Sequence, residues 1–332
     1  MLAGVGAAVL WALNVPLPFL FGPMLACLVA ALLGAPLKGP GQVSVAARTI
    51  LGVAVGASVT PALIGQLPSM ALSVALVPVY VVVIGAIGVP FFRRVYKFDI
   101  VTSYYAAMPG GLQDMIAFGQ EAGADVRALS LIHATRVLII VTIAPILLTQ
   151  MFDVPLTQPI GAPIRDVPVH ELLIMAAAAL VGWKGGEKIG LFGASILGPM
   201  IVTAVLSLAG VIHFRPPAEA ILVAQYFIGI GIGVFYVGVT LRELARDVAA
   251  GTVFVLVLAV LATIFTEIVV ILGLAPGVEG FLSFAPGGQA EMTVLAIVAG
   301  ADLGFVIVHH LVRIMVVITG APIVAKLLKL RK

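Results

Sequence analysis

The chain is poor in charge: only 10% of its 332 residues are Asp, Glu, Lys or Arg, against 62% hydrophobic, and mean hydropathy reaches +1.22. That composition lies outside the soluble globular range. It holds one cysteine, Cys27, inside an apolar run, which excludes a disulfide framework and a cysteine-based metal site and leaves packing as its simplest role. The apolar runs lack the period-2 alternation a membrane barrel needs, so the spans read as helices. No polar stretch is long enough for a soluble domain, and without one there is no nucleic-acid-reading head. The net charge of +3 comes mostly from Lys and Arg in short loops and in the terminal KLLKLRK, the distribution the positive-inside rule produces without nucleic acid. No Lys/Arg-rich stretch precedes the first apolar segment, residues 2–13, so no cleaved signal peptide is expected.

What the chain does have is a duplication. Pro109-Gly110-Gly111 aligns with Pro286-Gly287-Gly288 at an offset of 177 (286 − 109). The same offset matches Met115 to Met292, Ala124-Asp125 to Ala301-Asp302, His133 to His310, Arg136 to Arg313 and Ala144-Pro145 to Ala321-Pro322. Apolar composition alone matches Leu to Val; it does not align Asp, His and Arg. Gly52 and Gly56 match Gly229 and Gly233, while Gly22-Pro23-Met24 and Gly34 match Gly198-Pro199-Met200 and Gly210 at 176. The expected organisation is a membrane repeat over residues 1–152, an external linker over 153–169 holding Asp153 and Asp166, with Glu171 just beyond it, and a second repeat over 170–332.

Loop charge sets the expected topology. FFRRVYKFD carries Arg93, Arg94 and Lys97, whereas its counterpart GLAPGVEG has no Lys or Arg; conversely, the uncharged loop near 65–69 corresponds to one with Arg242 and Arg246. Equivalent loops therefore face opposite sides, which requires an odd number of crossings per half. The expected fold is all-α and polytopic, with two inverted-topology repeats, about ten transmembrane helices, two re-entrant PGG hairpins and both termini cytoplasmic. Proline ends a helix and glycine permits unusual dihedrals, which suits the PGG segments to a hairpin tip.

The polar residues inside this apolar frame are the candidate site. Asp125, His133 and Arg136 share one helical stripe, as do Asp302, His310 and Arg313. Arg136 sits about 15 Å into its helix, near the bilayer midplane, where an unpartnered Arg costs on the order of 3 kcal/mol. The expected substrate-binding set is Arg136, Arg313, His133 and His310 with Gly110, Gly111, Gly287 and Gly288, making a positive midplane site for an anion such as a carboxylate. Asp114 and Glu291 are candidate partners of the two arginines, or caps of the hairpin helices. With Asp125 and Asp302 they are also the candidate ion-coupling residues for H⁺ or Na⁺. No metal site and no cofactor is expected from His133, His309 and His310, because adjacent histidines diverge on a helix and no Cys or Glu-x-x-His motif accompanies them. Gly52/Gly56 and Gly229/Gly233 have GxxxG spacing and should allow close helix packing.

The repeated PGG-x-x-[DE]-M segment, the GAD after it, the His-x-x-Arg helix and the two GPM segments resemble the bacterial AbrB-type integral membrane family over essentially the whole chain. That family also carries an ammonia monooxygenase label, and it is distinct from the small DNA-binding proteins of the same name. The regulator label implies an effect on gene expression and the enzyme label implies copper chemistry; the residues support neither DNA binding nor an enzyme. The expectation is a secondary transporter in the bacterial inner membrane for a small, anionic solute, with membrane lipid as its surroundings and Gly-rich faces that permit a homodimer. The competing expectation is a membrane-embedded ligand sensor whose effect on transcription is indirect.

Overall fold

The computed structural model describes residues 1–15, 17–156, 161–191 and 194–330, and among these the regular structure is helical throughout. The helices of the first half are α1 (Leu2–Ala12), α2 (Pro18–Leu32), α3 (Gln42–Gly56), α4 (Pro61–Arg94), α5 (Ile100–Ala107), α6 (Leu112–Ala122) and α7 (Val126–Met151). Those of the second are α8 (Val169–Lys188), α9 (Ala194–Leu208), α10 (Ala218–Val234), α11 (Leu241–Glu243), α12 (Ala249–Ile271), α13 (Gly277–Phe284), α14 (Gln289–Ala299) and α15 (Leu303–Leu327). A π-helical turn, Leu244–Val248, joins α11 to α12. Among the described residues, four helical runs are long and apolar enough to cross a membrane: Ile64–Arg94, Val126–Met151, Leu241–Ile271 and Leu303–Leu327.

The chain divides into two compact units, each drawing on both sequence halves. The first comprises Met1–Leu67, Pro155–Gly238 and Thr293–Gly304. Here α2 packs on α1 and α10, α9 packs on α8 and α3, and α10 meets α3. Glycine makes these contacts possible. A Cβ on Gly52 would strike the carbonyl oxygen of Ile196, and one on Gly56 would strike that of Met200. The equivalent Gly229 and Gly233 lie against the carbonyl oxygens of Leu20 and Met24. Both GxxxG pairs thus seat on the GPM helices, and the glycines of those motifs, Gly22 and Gly198, press in turn on the backbones of Gly6 and Gly182. With lipid around it, such a unit is held by backbone approach rather than by expulsion of water.

Gly52→Ala and Gly229→Ala should therefore each destabilise the protein by about 1–3 kcal/mol through overpacking against main chain, read as a lowered unfolding midpoint in detergent. Gly185→Ala, whose Cβ would meet nothing within 4 Å, is the control and should be neutral or slightly stabilising. Equal midpoints for Gly52→Ala and the wild type would refute the argument.

Glu171, placed by the sequence beside an outer acidic linker, is instead only 3% exposed in the first turn of α8. Its carboxylate accepts from the backbone N–H of His213 and of Phe214, both at 3.0 Å, and contacts His213 Nδ1 at 3.1 Å. It pins the segment between α9 and α10, beside a small apolar core of Val53, Val167, Met175 and Ile212.

The second unit comprises Pro68–Val154, Val239–Met292 and Phe305–Lys332. Here α12 packs on α7 and α13, and α5 and α6 pack on α7. Aromatic contacts attach α4: Phe92 meets Phe254 at 4.7 Å, and Tyr80 meets Phe265 at 4.9 Å.

Candidate functional site

Each PGG sequence breaks a helix into two short pieces. Helices α5 and α13 have 8 residues each, and α6 and α14 have 11 each. At about 1.5 Å per residue none of them crosses a hydrocarbon core of about 30 Å. The backbone leaves the helix in an extended conformation at Met108 (ψ 130°) and Ala285 (ψ 126°), so the last carbonyls of α5 and α13 have no intrahelical partner. Buried in an apolar protein, they must find donors elsewhere.

The His-x-x-Arg helices supply those donors. From α7, His133 Nε2 lies 3.1 Å from the Tyr105 carbonyl, and Arg136 donates Nη1 to Met108 (3.1 Å) and Nη2 to Gly110 (2.5 Å). From α15, His310 Nε2 lies 2.8 Å from the Leu282 carbonyl, and Arg313 donates Nη1 to Ala285 (2.8 Å) and Nη2 to Gly287 (2.7 Å). Both sets run from the same helix position to carbonyls 28, 28 and 26 residues upstream. Tyr80 completes the second set by donating its hydroxyl to Phe284 at 2.8 Å. Two protonation states follow. His310 Nδ1 accepts from Arg313 Nη2 at 3.0 Å, so its proton is on Nε2, the nitrogen facing Leu282, and the ring is neutral. His133 Nε2 faces a carbonyl and therefore carries the proton there.

Both guanidiniums are almost wholly buried, 4% and 3% exposed, and each stands where a helix C-terminus favours a cation. The described hydrogen bonds of Arg136 and Arg313 go to main-chain carbonyls and, for Arg313, to a neutral histidine, a role not included in the expectation of carboxylate pairing. Their Nε–H groups have no hydrogen-bond partner among the described residues. Arg313, Tyr80 and Glu291 lie within Coulombic reach of Arg136.

The PGG-x-x-[DE]-M spacing also has a geometric cause. A Cβ on Gly110 would meet Met115 Cε at 2.6 Å, and one on Gly287 would meet Met292 Cε at 2.6 Å. A Cβ on Gly111 or Gly288 would collide with the carboxylate of Asp114 or Glu291. The methionine covers the first glycine and the acid covers the second. Both acids sit in the first turn of their helices, where a carboxylate is favoured by the N-terminal dipole and can reach back to the N-cap. This corrects the expectation that the second glycine supplies an unusual dihedral. Gly111 has φ −64°, and what it provides is room.

Asp125 caps α7, its side chain accepting from the Ala128 N–H at 3.0 Å. Its own N–H donates to Thr102 Oγ1 at 2.8 Å, which brings the N-cap of α7, just past the end of α6, beside the first turn of α5. Asp302 lies in the first unit, in a polar cavity of about 490 Å³ that also includes Gln66, His213, Arg215 and Gly304. His309 is turned to other partners, Phe305 O at 2.8 Å and Ser73 Oγ at 3.0 Å. Tyr80 and the recipient carbonyls are the members of the site that sequence reasoning missed; no motif marks Tyr80, and main-chain acceptors leave no mark in a sequence.

Helices of this length and apolarity, with buried charge on broken segments, define an all-helical protein of integral-membrane type. The sequence profile of the family described as "Transition state regulatory protein AbrB" matches residues 19–329, and the chain belongs to that family. It is 24% identical over 326 residues to "Putative regulator AbrB" of Escherichia coli (strain K12), covering 95% of this chain and 91% of the relative. It is 26% identical over 292 residues to "Uncharacterized protein YhjN" of Bacillus subtilis (strain 168), covering 83% of this chain and 76% of the relative.

Proposed function

We propose that the protein is a secondary-transporter-like, non-enzymatic membrane protein that moves a small anionic solute by alternating access, with H⁺ or Na⁺ as candidate coupling ions. The observation that carries this reading is the pair of buried guanidiniums, each holding the carbonyls of a broken helix and each keeping an Nε–H that has no partner among the described residues. Two such cations within Coulombic reach raise the local potential in a low-dielectric interior, and an anion there relieves it. The reading includes two inverted repeats, ten spans and two re-entrant hairpins in the bacterial cytoplasmic membrane with both termini inside. The Thr102–Asp125 hydrogen bond supports the hairpin, since the segment's exit lies beside its entry.

Equivalent positions of the two repeats differ in chemistry, which makes one of them a candidate gate for such a cycle. Arg127 and Glu243 form an ion pair at 2.8 Å. Their counterparts at the 177-residue offset, Gly304 (127 + 177) and Gln66 (243 − 177), line the open 490 Å³ cavity of the first unit. The contact between these positions is therefore ionic in one case, whereas Gly304 and Gln66 carry no charges with which to repeat it.

Proteoliposomes test the proposal. A panel of carboxylates, amino acids, ammonium and Na⁺ should contain an anion that raises the unfolding midpoint and is taken up saturably. Both effects should be lost in Arg136→Gln and Arg313→Gln assayed below their own unfolding midpoints. Normal uptake by both folded variants would remove the midplane site. A relative's name as a regulator favours the second reading, a ligand sensor; it predicts stabilisation by ligand with no uptake.

A further inference from the structure

An apolar groove of about 490 Å³ runs between α4 and α15 in the second unit, with Tyr104 and Met108 of α5 also lining it. Its walls follow α4 from Val81 to Pro90 and α15 from Val316 to Val324, continuing to Leu328 and Leu330 just past that helix, roughly 14 Å of helix on the α4 side. Small residues hollow it: Gly85 and Ala86 on one wall, Gly320 and Ala321 on the other. A Cβ on Gly320 would meet nothing within 4 Å. The polar side chain that α5 presents to the groove, Tyr104, donates its hydroxyl to the Ala321 carbonyl at 2.8 Å, so the groove offers an occupant almost nothing but hydrocarbon.

The charge lies at one end. One turn beyond Pro90, α4 closes with Arg93 and Arg94, and α15 closes with Lys326 in its last turn, followed by Lys329. Lys326 and Lys329, with Glu121 as the one acid among the described lining residues, line an adjoining cavity of about 310 Å³ that shares Leu330 with the groove. An apolar trough as long as part of an acyl chain, ending in four exposed cations, matches one kind of molecule. We propose that this groove is a binding site for an anionic phospholipid, with an acyl chain along Gly85 and Gly320 and the phosphate held by the Arg93–Arg94 and Lys326–Lys329 ends. A zwitterionic lipid could fill the trough but would gain little from the cations, and a soluble phosphate would gain only the cations.

The experiment is thermal unfolding of the full-length, delipidated protein in neutral detergent, titrated separately with dioleoyl phosphatidylglycerol, dioleoyl phosphatidylcholine and glycerol 3-phosphate. The phosphatidylglycerol should raise the midpoint at concentrations at which the other two do not. Each basic side chain near an anionic membrane surface strengthens binding roughly fivefold, so a Lys326→Gln/Lys329→Gln double variant should require roughly twenty-five-fold more phosphatidylglycerol. Gly320→Leu, starting from a position whose Cβ meets nothing within 4 Å, extends a side chain into the trough and should abolish the lipid effect while leaving the lipid-free midpoint unchanged or raised. Equal stabilisation by phosphatidylcholine would mean ordinary annular lipid and would overturn the proposal. So would equal stabilisation by glycerol 3-phosphate, or a full lipid response in Gly320→Leu.

Discussion

An Arg313→Met variant should lose about 3–6 kcal/mol of stability, and Arg136→Met a similar amount. The argument rests on main-chain chemistry. Met fills much of the volume of an arginine stem, so the change removes the fork and little else. Each fork donates to two buried carbonyls of a broken helix, at 2.8 and 2.7 Å for Arg313 and 3.1 and 2.5 Å for Arg136. A hydrogen bond from a charged donor contributes about 1.5–3 kcal/mol, and a buried carbonyl left bare adds a desolvation penalty. Against a total stability of about 5–15 kcal/mol that loss is large. Arg313→Lys should recover only part, because an ammonium is a point donor and cannot span two carbonyls on either side of Pro286 as the planar fork does. Denaturation in detergent, followed by circular dichroism, measures all of these. A Met variant as stable as the wild type would mean that solvent reaches the carbonyls of the break.

The two halves of this site were unequally legible in the sequence. PGG, His-x-x-Arg and the acid recur at one offset, so the donors could be found by sliding the chain against itself. Their acceptors could not, because every residue carries a carbonyl and only the break frees those of Met108, Gly110, Ala285 and Gly287. The GxxxG pairs were read correctly as contact points, but their partners, the GPM helices, lie in the opposite half of the sequence, and no local pattern encodes such a pairing. Apolarity also hid helix ends. The largely apolar stretch 43–63 holds the end of one helix and the start of the next, α3 stopping at Gly56 and α4 starting at Pro61, since membrane-depth sequence stays apolar through a break and only the proline marks it. Glu171 escaped for the opposite reason. An acid beside a polar linker looks solvated, and its burial comes from the N–H groups of His213 and Phe214 some forty residues away.

If the protein moves its solute by alternating access, fixing the Arg127–Glu243 contact should stop transport while sparing ligand binding. The pair lies at 2.8 Å with side chains 42% and 24% exposed, so it contributes only about 0–1 kcal/mol, weak enough to open within a cycle. Glu243 also closes a capping box with Thr240 at the start of α11, which sets the ion pair on a defined helix end rather than on a loose loop. The test is a protein carrying Arg127→Cys and Glu243→Cys, with the buried Cys27 replaced by Ala, joined by a short reducible thiol cross-linker. The unlinked form should transport, since it loses only the weak pair and the cap. The linked form should bind the stabilising anion yet show no uptake, and reductant should restore it. A fully linked protein that transports at the unlinked rate would show that this contact does not move, and the opening must then be sought elsewhere. Ligand binding in both forms with uptake in neither would instead match a sensor, whose cavity takes up its anion and never releases it on the other side.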